Sequence, residues 1–136
     1  MNPTRDHRKE AIDSLLYAKA WLDNMFDQAE EDRRNNGTHY GIFFVNYYWP
    51  RFRDPINIMI DKIRNMGTPD DFAVLVRMAD TAMDMLNEDL MAGEEIAKRY
   101  YSFLTDIRLN IKQAEWSMVL ANKQEAAEKA EKEKEA

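Results

Sequence analysis

The sequence predicts an all-α protein, a compact bundle of about four main helices, and three observations predict it. Apolar residues recur at three- and four-residue intervals along most of the chain. Four Gly and four Pro are too few breaks for a set of short strands among 136 residues. The one segment of strand-like composition has no second to pair with, and a lone strand leaves its backbone groups unmet. The chain fits one domain, with residues 1–122 forming the bundle and 123–136 a charged, solvated tail.

The first helix is expected to begin at Asn2 or Thr4, either of which can cap, with Pro3 suited to a first turn. Its apolar stripe is Ala11, Leu15, Ala18, Leu22, Met25 and Ala29, flanked by Ile12, Leu16 and Phe26. Asn35-Asn36-Gly37 ends it. The segment from Tyr40 to Trp49 is aromatic and β-branched, yet Tyr40, Phe43, Phe44 and Tyr47 sit at helical spacing, so it reads as helix. Pro50 is expected to kink or break it, and Asp54-Pro55 to restart it with Ile56, Met59, Ile60 and Ile63 facing inward and Gly67 closing it.

Thr68-Pro69-Asp70-Asp71 reads as a helix start: a cap, a first-turn Pro and two acids placed for the helix dipole. The stripe behind it is Phe72, Leu75, Val76, Ala79, Ala82, Met83, Leu86 and Leu90. A turn at Ala92-Gly93 then gives two antiparallel helices of similar length. The alternative is a single long helix, because the stripe runs on in phase through Ile96, Ala97, Tyr100, Leu104, Ile107, Ile111, Ala114 and Met118. The turn is adopted, since an uncapped pattern that long implies a coiled coil and the charges do not follow one. The tail from Lys123 reads as a frayed extension of the last helix, with Glu125/Lys129 and Glu128/Lys132 as solvated pairs.

Composition narrows function. With no cysteine, thiolate metal sites, thiol nucleophiles and disulfides are excluded. The N-terminal residues contain no apolar leader core, and the stretch from Ile42 to Trp49 is too short to span a bilayer, so a cytoplasmic protein with no membrane association is expected. The net charge of −6 makes nucleic acid an unlikely partner. It is unevenly spread: residues 38–67 hold four basic against two acidic side chains, residues 68–93 one against six. The two histidines, His7 and His39, lie apart, with none of the Glu-x-x-His spacing of a metal-binding bundle. Ser14, Ser102 and Ser117 lack a nucleophile elbow, and there is no Gly-rich phosphate loop. No catalytic residue, metal or cofactor is therefore expected, and the protein reads as non-enzymatic.

The distinctive feature is segment 40–53, which holds seven of the fifteen aromatic residues and is closed by two arginines. Tyr47, Tyr48, Trp49, Arg51, Phe52 and Arg53 have the composition of an interface hot spot. The same rings could fill the bundle core, or stack a nucleotide. A second surplus lies on the later helices, where Met78, Met85, Tyr101, Leu109 and Trp116 fall beside or off the main stripes and suit an oligomer interface. Asp70, Asp80, Asp84 and Glu88 form an acidic ridge, either a solvated face or a mimic of nucleic-acid phosphates that blocks a DNA-binding protein. Together these features predict a non-catalytic module that binds a protein partner and self-associates as a homo-oligomer. An accessory or inhibitor protein of the kind phages and mobile elements carry fits that description. A small-ligand or nucleotide binder is the alternative.

Overall fold

The computed structural model describes residues 5–36 and 43–135, all of whose regular structure is helical. The first helix, α1 (His7–Asn36), follows Asp6, whose Oδ1 accepts the Lys9 N–H at 3.1 Å. Asp6 is thus the cap. The expected caps Asn2 and Thr4, and the helix-ending Gly37, lie outside the described residues, as does Tyr40.

A π-helical turn, Phe44–Tyr48, runs directly into α2 (Trp49–Arg64). The expected restart at Asp54-Pro55 does not occur, and the helix continues through both prolines. Pro50 donates no N–H, and its ring would press on the carbonyl four residues back. The wider turn ahead of it, where Trp49 N–H reaches the Phe44 carbonyl, relieves that crowding. At the far end, Gly67 N–H reaches the Lys62 carbonyl at 2.8 Å and Met66 N–H the Ile63 carbonyl at 3.1 Å. This is a Schellman ending. The left-handed residue in it is Met66 (φ 66°). Gly67 is needed for space: a Cβ there would sit 2.8 Å from Lys62 Cγ and 3.1 Å from the Lys62 carbonyl oxygen.

Helix α3 (Phe72–Met85) starts later than Thr68-Pro69 suggested. The Thr68 hydroxyl reaches across to Asn122 Oδ1 at 3.2 Å instead of capping, and Pro69 is buried. A short α4 (Asn87–Met91) leads to Gly93, whose φ of 79° makes the predicted turn. The last helix, α5 (Glu95–Glu135), has 41 residues against 14 in α3, so the two are not of similar length. The tail from Lys123 continues α5 as exposed helix to Glu135, with Gln124 and Glu125 half-buried where they meet the bundle.

The stripes of α1 and α5 explain the architecture. Residues 8, 11, 15, 18, 22, 25, 29 and 32 alternate spacings of three and four, as do 97, 100, 104, 107, 111, 114, 118, 121 and 125. That is the a/d seam of an antiparallel coiled coil. The two helices form the main interface of the fold. Ala11 to Ala29 on one side and Ala97 to Ala121 on the other are closed to solvent along it. Each large aliphatic side chain buried this way contributes about 1.5–3 kcal/mol.

Both ends of the seam are polar. At one end Arg8 donates Nη1 to the carbonyls of Ile63 and Gly67 at 3.2 and 2.9 Å, and Nη2 to that of Met66 at 3.3 Å. Its Nε and Nη2 also pair with the Glu125 carboxylate. At the other end the Tyr100 hydroxyl donates to Asp32 Oδ2 at 2.7 Å, while Gln28 donates to Oδ1 at 3.0 Å. Asp32 is only 5% exposed. Sliding α5 by a turn would leave a buried carboxylate and a capping guanidinium unpaired, so these pairs fix direction and register. Helix α2 packs on α1, and α3 on α5. Tyr48, just before α2, meets Met85 at the end of α3, so α2 and α3 run antiparallel. They stand apart over part of their length, leaving a groove between them.

Candidate functional site

The structure divides the aromatic segment into core and surface. Tyr48 is 2% exposed and Phe52 fully buried, so neither can belong to a partner-binding surface. Phe44 stacks on Tyr100 with ring centroids 4.5 Å apart, and Tyr48 lies 5.2 Å from Phe44. These rings roof the Asp32 end of the seam. Burial, and then the hydrogen bond to Asp32, pushes the Tyr100 phenol far above its usual range, while burial raises that of Tyr48.

Trp49 and Arg53 are half-buried and engaged with the fold. Trp49 packs on Phe26 at 4.6 Å and donates Nε1–H to Asp23 Oδ1 at 3.3 Å, and the Arg53 guanidinium lies over the Trp49 ring at 4.0 Å. Together they dock the start of α2 onto α1. Tyr47 and Arg51 remain exposed. The Arg51 guanidinium sits 3.8 Å over the Tyr47 ring and donates Nη1–H to the Tyr47 carbonyl at 2.9 Å, which holds the charge in a defined place with donors to spare.

The second group of predicted residues is mostly exposed but spread over two places. Leu109 (52%) and Trp116 (60%) share the outward face of α5, two turns apart, with Tyr101 at 38% nearer its start. Trp116 borders a shallow hollow reaching Ser14 and Glu10 of α1. Met85 on α3 is 54% exposed and accepts the Tyr48 O–H at its sulfur, 3.1 Å away. Met78 is half-buried in the α2–α3 groove.

That groove, about 390 Å³, is lined by Arg51, Pro55 and Ile58 from α2 and by Asp71, Val74, Leu75 and Met78 from the α3 side. Ile58 is 62% and Val74 52% exposed. It joins Arg51 and Met78, which sequence reasoning assigned to different surfaces. Ile58 was missed, although its place off the Ile56–Met59–Ile60–Ile63 stripe marks it as surplus. A second pocket, about 320 Å³, lies at the other end of the same helices, walled by Phe43, Phe44, Tyr48, Ala82, Met85 and Leu86 with Asp89 beside it.

On the acidic ridge, Asp80 is paired with Arg108 at 2.7 Å, which ties α3 to α5. Asp70, Asp84 and Glu88 are exposed and meet no cation among the described residues. Among those residues no group of three His, Asp or Glu is placed to hold a metal ion, and no helix is long and apolar enough to cross a membrane. Comparison with known family models, curated proteins and solved structures finds no match.

Proposed function

We propose that this protein is a non-catalytic binding module of the cytoplasm that captures a protein partner through its exposed apolar side chains. The observation that carries this reading is that a sealed apolar core coexists with large apolar groups left outside it. Ile58, Val74, Met85, Leu109 and Trp116 are each more than half exposed, while the seam residues are sealed. Ile58 and Val74 lie together on one groove, and an exposed apolar patch shared by two helices is the kind of surface that contacts other molecules. An accessory or inhibitor role is part of the same proposal, by analogy with other small binding proteins that lack a chemical site.

The test is a pull-down from cell lysate with mass spectrometry, run on wild type beside Arg51→Ala, Ile58→Ala and Trp116→Ala. The expected result is a captured protein lost from at least one variant while each variant keeps the wild-type Tm. Capture that is the same for all variants, or absent throughout, overturns the reading.

A second reading rests on the pocket at Phe43, Phe44 and Tyr48. Its size is near the lower end for small-molecule sites, and its apolar walls with one carboxylate suit a flat apolar or amine-bearing ligand. A thermal-shift panel of nucleotides and aromatic amines tests it. A rise in Tm that Ala82→Trp removes supports a ligand site, and a flat panel rejects it.

A further inference from the structure

We infer that the α2–α3 groove is the contact surface between two copies of this chain, related by a two-fold axis through its middle. The inference deepens the binding reading above and rests on it. Its basis is the placement of charge around an apolar floor. Pro55, Ile58, Val74, Leu75 and Met78 give the groove its apolar lining, with Leu75 the most deeply buried. Arg51 lines it one turn before Pro55 on α2, and Asp71 stands at the start of α3.

Because α2 and α3 are antiparallel, the start of α3 lies beside the end of α2. Arg51 and Asp71 therefore mark opposite ends, separated by roughly nine residues of helix, about 13 Å. A surface with a cation at one end and an anion at the other is complementary to itself. Rotation by half a turn exchanges the ends and brings Arg51 of each copy to Asp71 of the other, twice per dimer. Among the described residues neither charge meets an opposite one: Arg51 is steadied on Tyr47 with donors to spare, and Asp71 makes no side-chain cap. Ile58 and Val74, between these ends, are the exposed apolar groups that such a contact covers. An unrelated partner has no reason to match this arrangement, whereas a second copy matches it by symmetry.

The test uses the full chain, with mass by light scattering and folding by circular dichroism. Wild type at high micromolar concentration is expected at twice 16.1 kDa. Arg51→Asp alone places four acids at the two contacts, and Asp71→Arg alone places four arginines, so each is expected as a folded monomer. Mixed in equal amounts, the two variants restore both attractive pairs and are expected to return to the double mass as a heterodimer. Ile58→Glu is expected to be a folded monomer that no mixing rescues.

A monomeric wild type overturns the inference. So does a dimer that survives all three substitutions, or a mixture of the charge variants that stays at single mass. A wild type that is monomeric but still captures a partner sinks this inference and leaves the binding reading standing. A dimer lost only on Trp116→Ala does the same, moving the self-contact to α5.

Discussion

The α1–α5 seam and the α2–α3 groove are both places where two antiparallel helices face each other, and they are built in opposite ways. In the seam, side chains at alternating spacings interdigitate, nothing apolar reaches solvent, and each end is closed by a hydrogen-bonded polar pair. In the groove, the helices stand apart, Ile58 and Val74 stay more than half exposed, and the charges at the ends are not joined to each other. The difference separates two uses of apolar surface. The seam holds the fold together, and a vacancy there has no remedy. The groove leaves Ile58 and Val74 in water and adds little to the fold of one chain.

That contrast can be broken most forcefully in the middle of the seam. Leu22→Ala or Ile107→Ala removes a fully buried side chain and is expected to cost about 2–5 kcal/mol in chemical denaturation, against about 0.5 kcal/mol or less for Ile58→Ala or Val74→Ala in the groove. Equal costs would erase the distinction.

The polar ends come next. Tyr100→Phe leaves the Asp32 carboxylate buried with Gln28 as its remaining donor and is expected to cost about 1–3 kcal/mol. It also changes the alkaline response. The folded phenol holds its proton more tightly than the unfolded one, so its stabilisation is complete below the ordinary tyrosine value of about 10. Above that value the unfolded chain ionises first, and stability falls as pH rises toward the raised folded value. Denaturation midpoints measured from pH 8 upward are expected to decline less in Tyr100→Phe than in wild type.

At the opposite end, Arg8→Met removes the clasp over Ile63, Met66 and Gly67 and is expected to cost about 1–3 kcal/mol. The Glu125 carboxyl, held below its ordinary value mainly by its hydrogen bond to Arg8, loses its contribution as pH falls through the lowered folded value. Glu125→Gln is expected to show a shallower acid decline in the same denaturation assay.

The smallest effect sharpens the comparison at the α2 terminus. Met66 holds a left-handed conformation, so Met66→Gly is expected to raise stability by about 1 kcal/mol. Gly67→Ala is expected to lower it, because the added methyl meets Lys62. Denaturation midpoints of the two variants should therefore move in opposite directions.

Much of the fold was legible in the sequence because helical phase is a local property. Every residue of the predicted α1 stripe from Ala11 to Ala29 is fully buried, and Gly93 makes the expected turn. What was lost followed from two assumptions. Taking Pro50 as a break cut the phase of the second helix. Read through the proline, 48, 52, 56, 59 and 63 form one inward face, which places Tyr48 and Phe52 in the core, while 51, 55 and 58 fall together on the groove. Defining the α1 stripe by apolar residues alone left out Arg8 and Asp32, which stand in phase at either end of it. Which surplus apolar groups face a groove depends on how far apart two helices sit, and no spacing within one helix encodes that.

The seam joins two helices that lie far apart in the sequence. Arg8 and Glu125 are 117 residues apart, and Asp32 and Tyr100 are 68 apart. Most helical bundles are assembled from neighbours along the chain and fold quickly for that reason. Here α1 keeps the seam side of its apolar stripe uncovered until α5, much later in the chain, has been made. Folding is therefore expected to be slow for a helical protein and to wait for the synthesis of α5, with nascent α1 exposed in the interval to chaperones or to unwanted association.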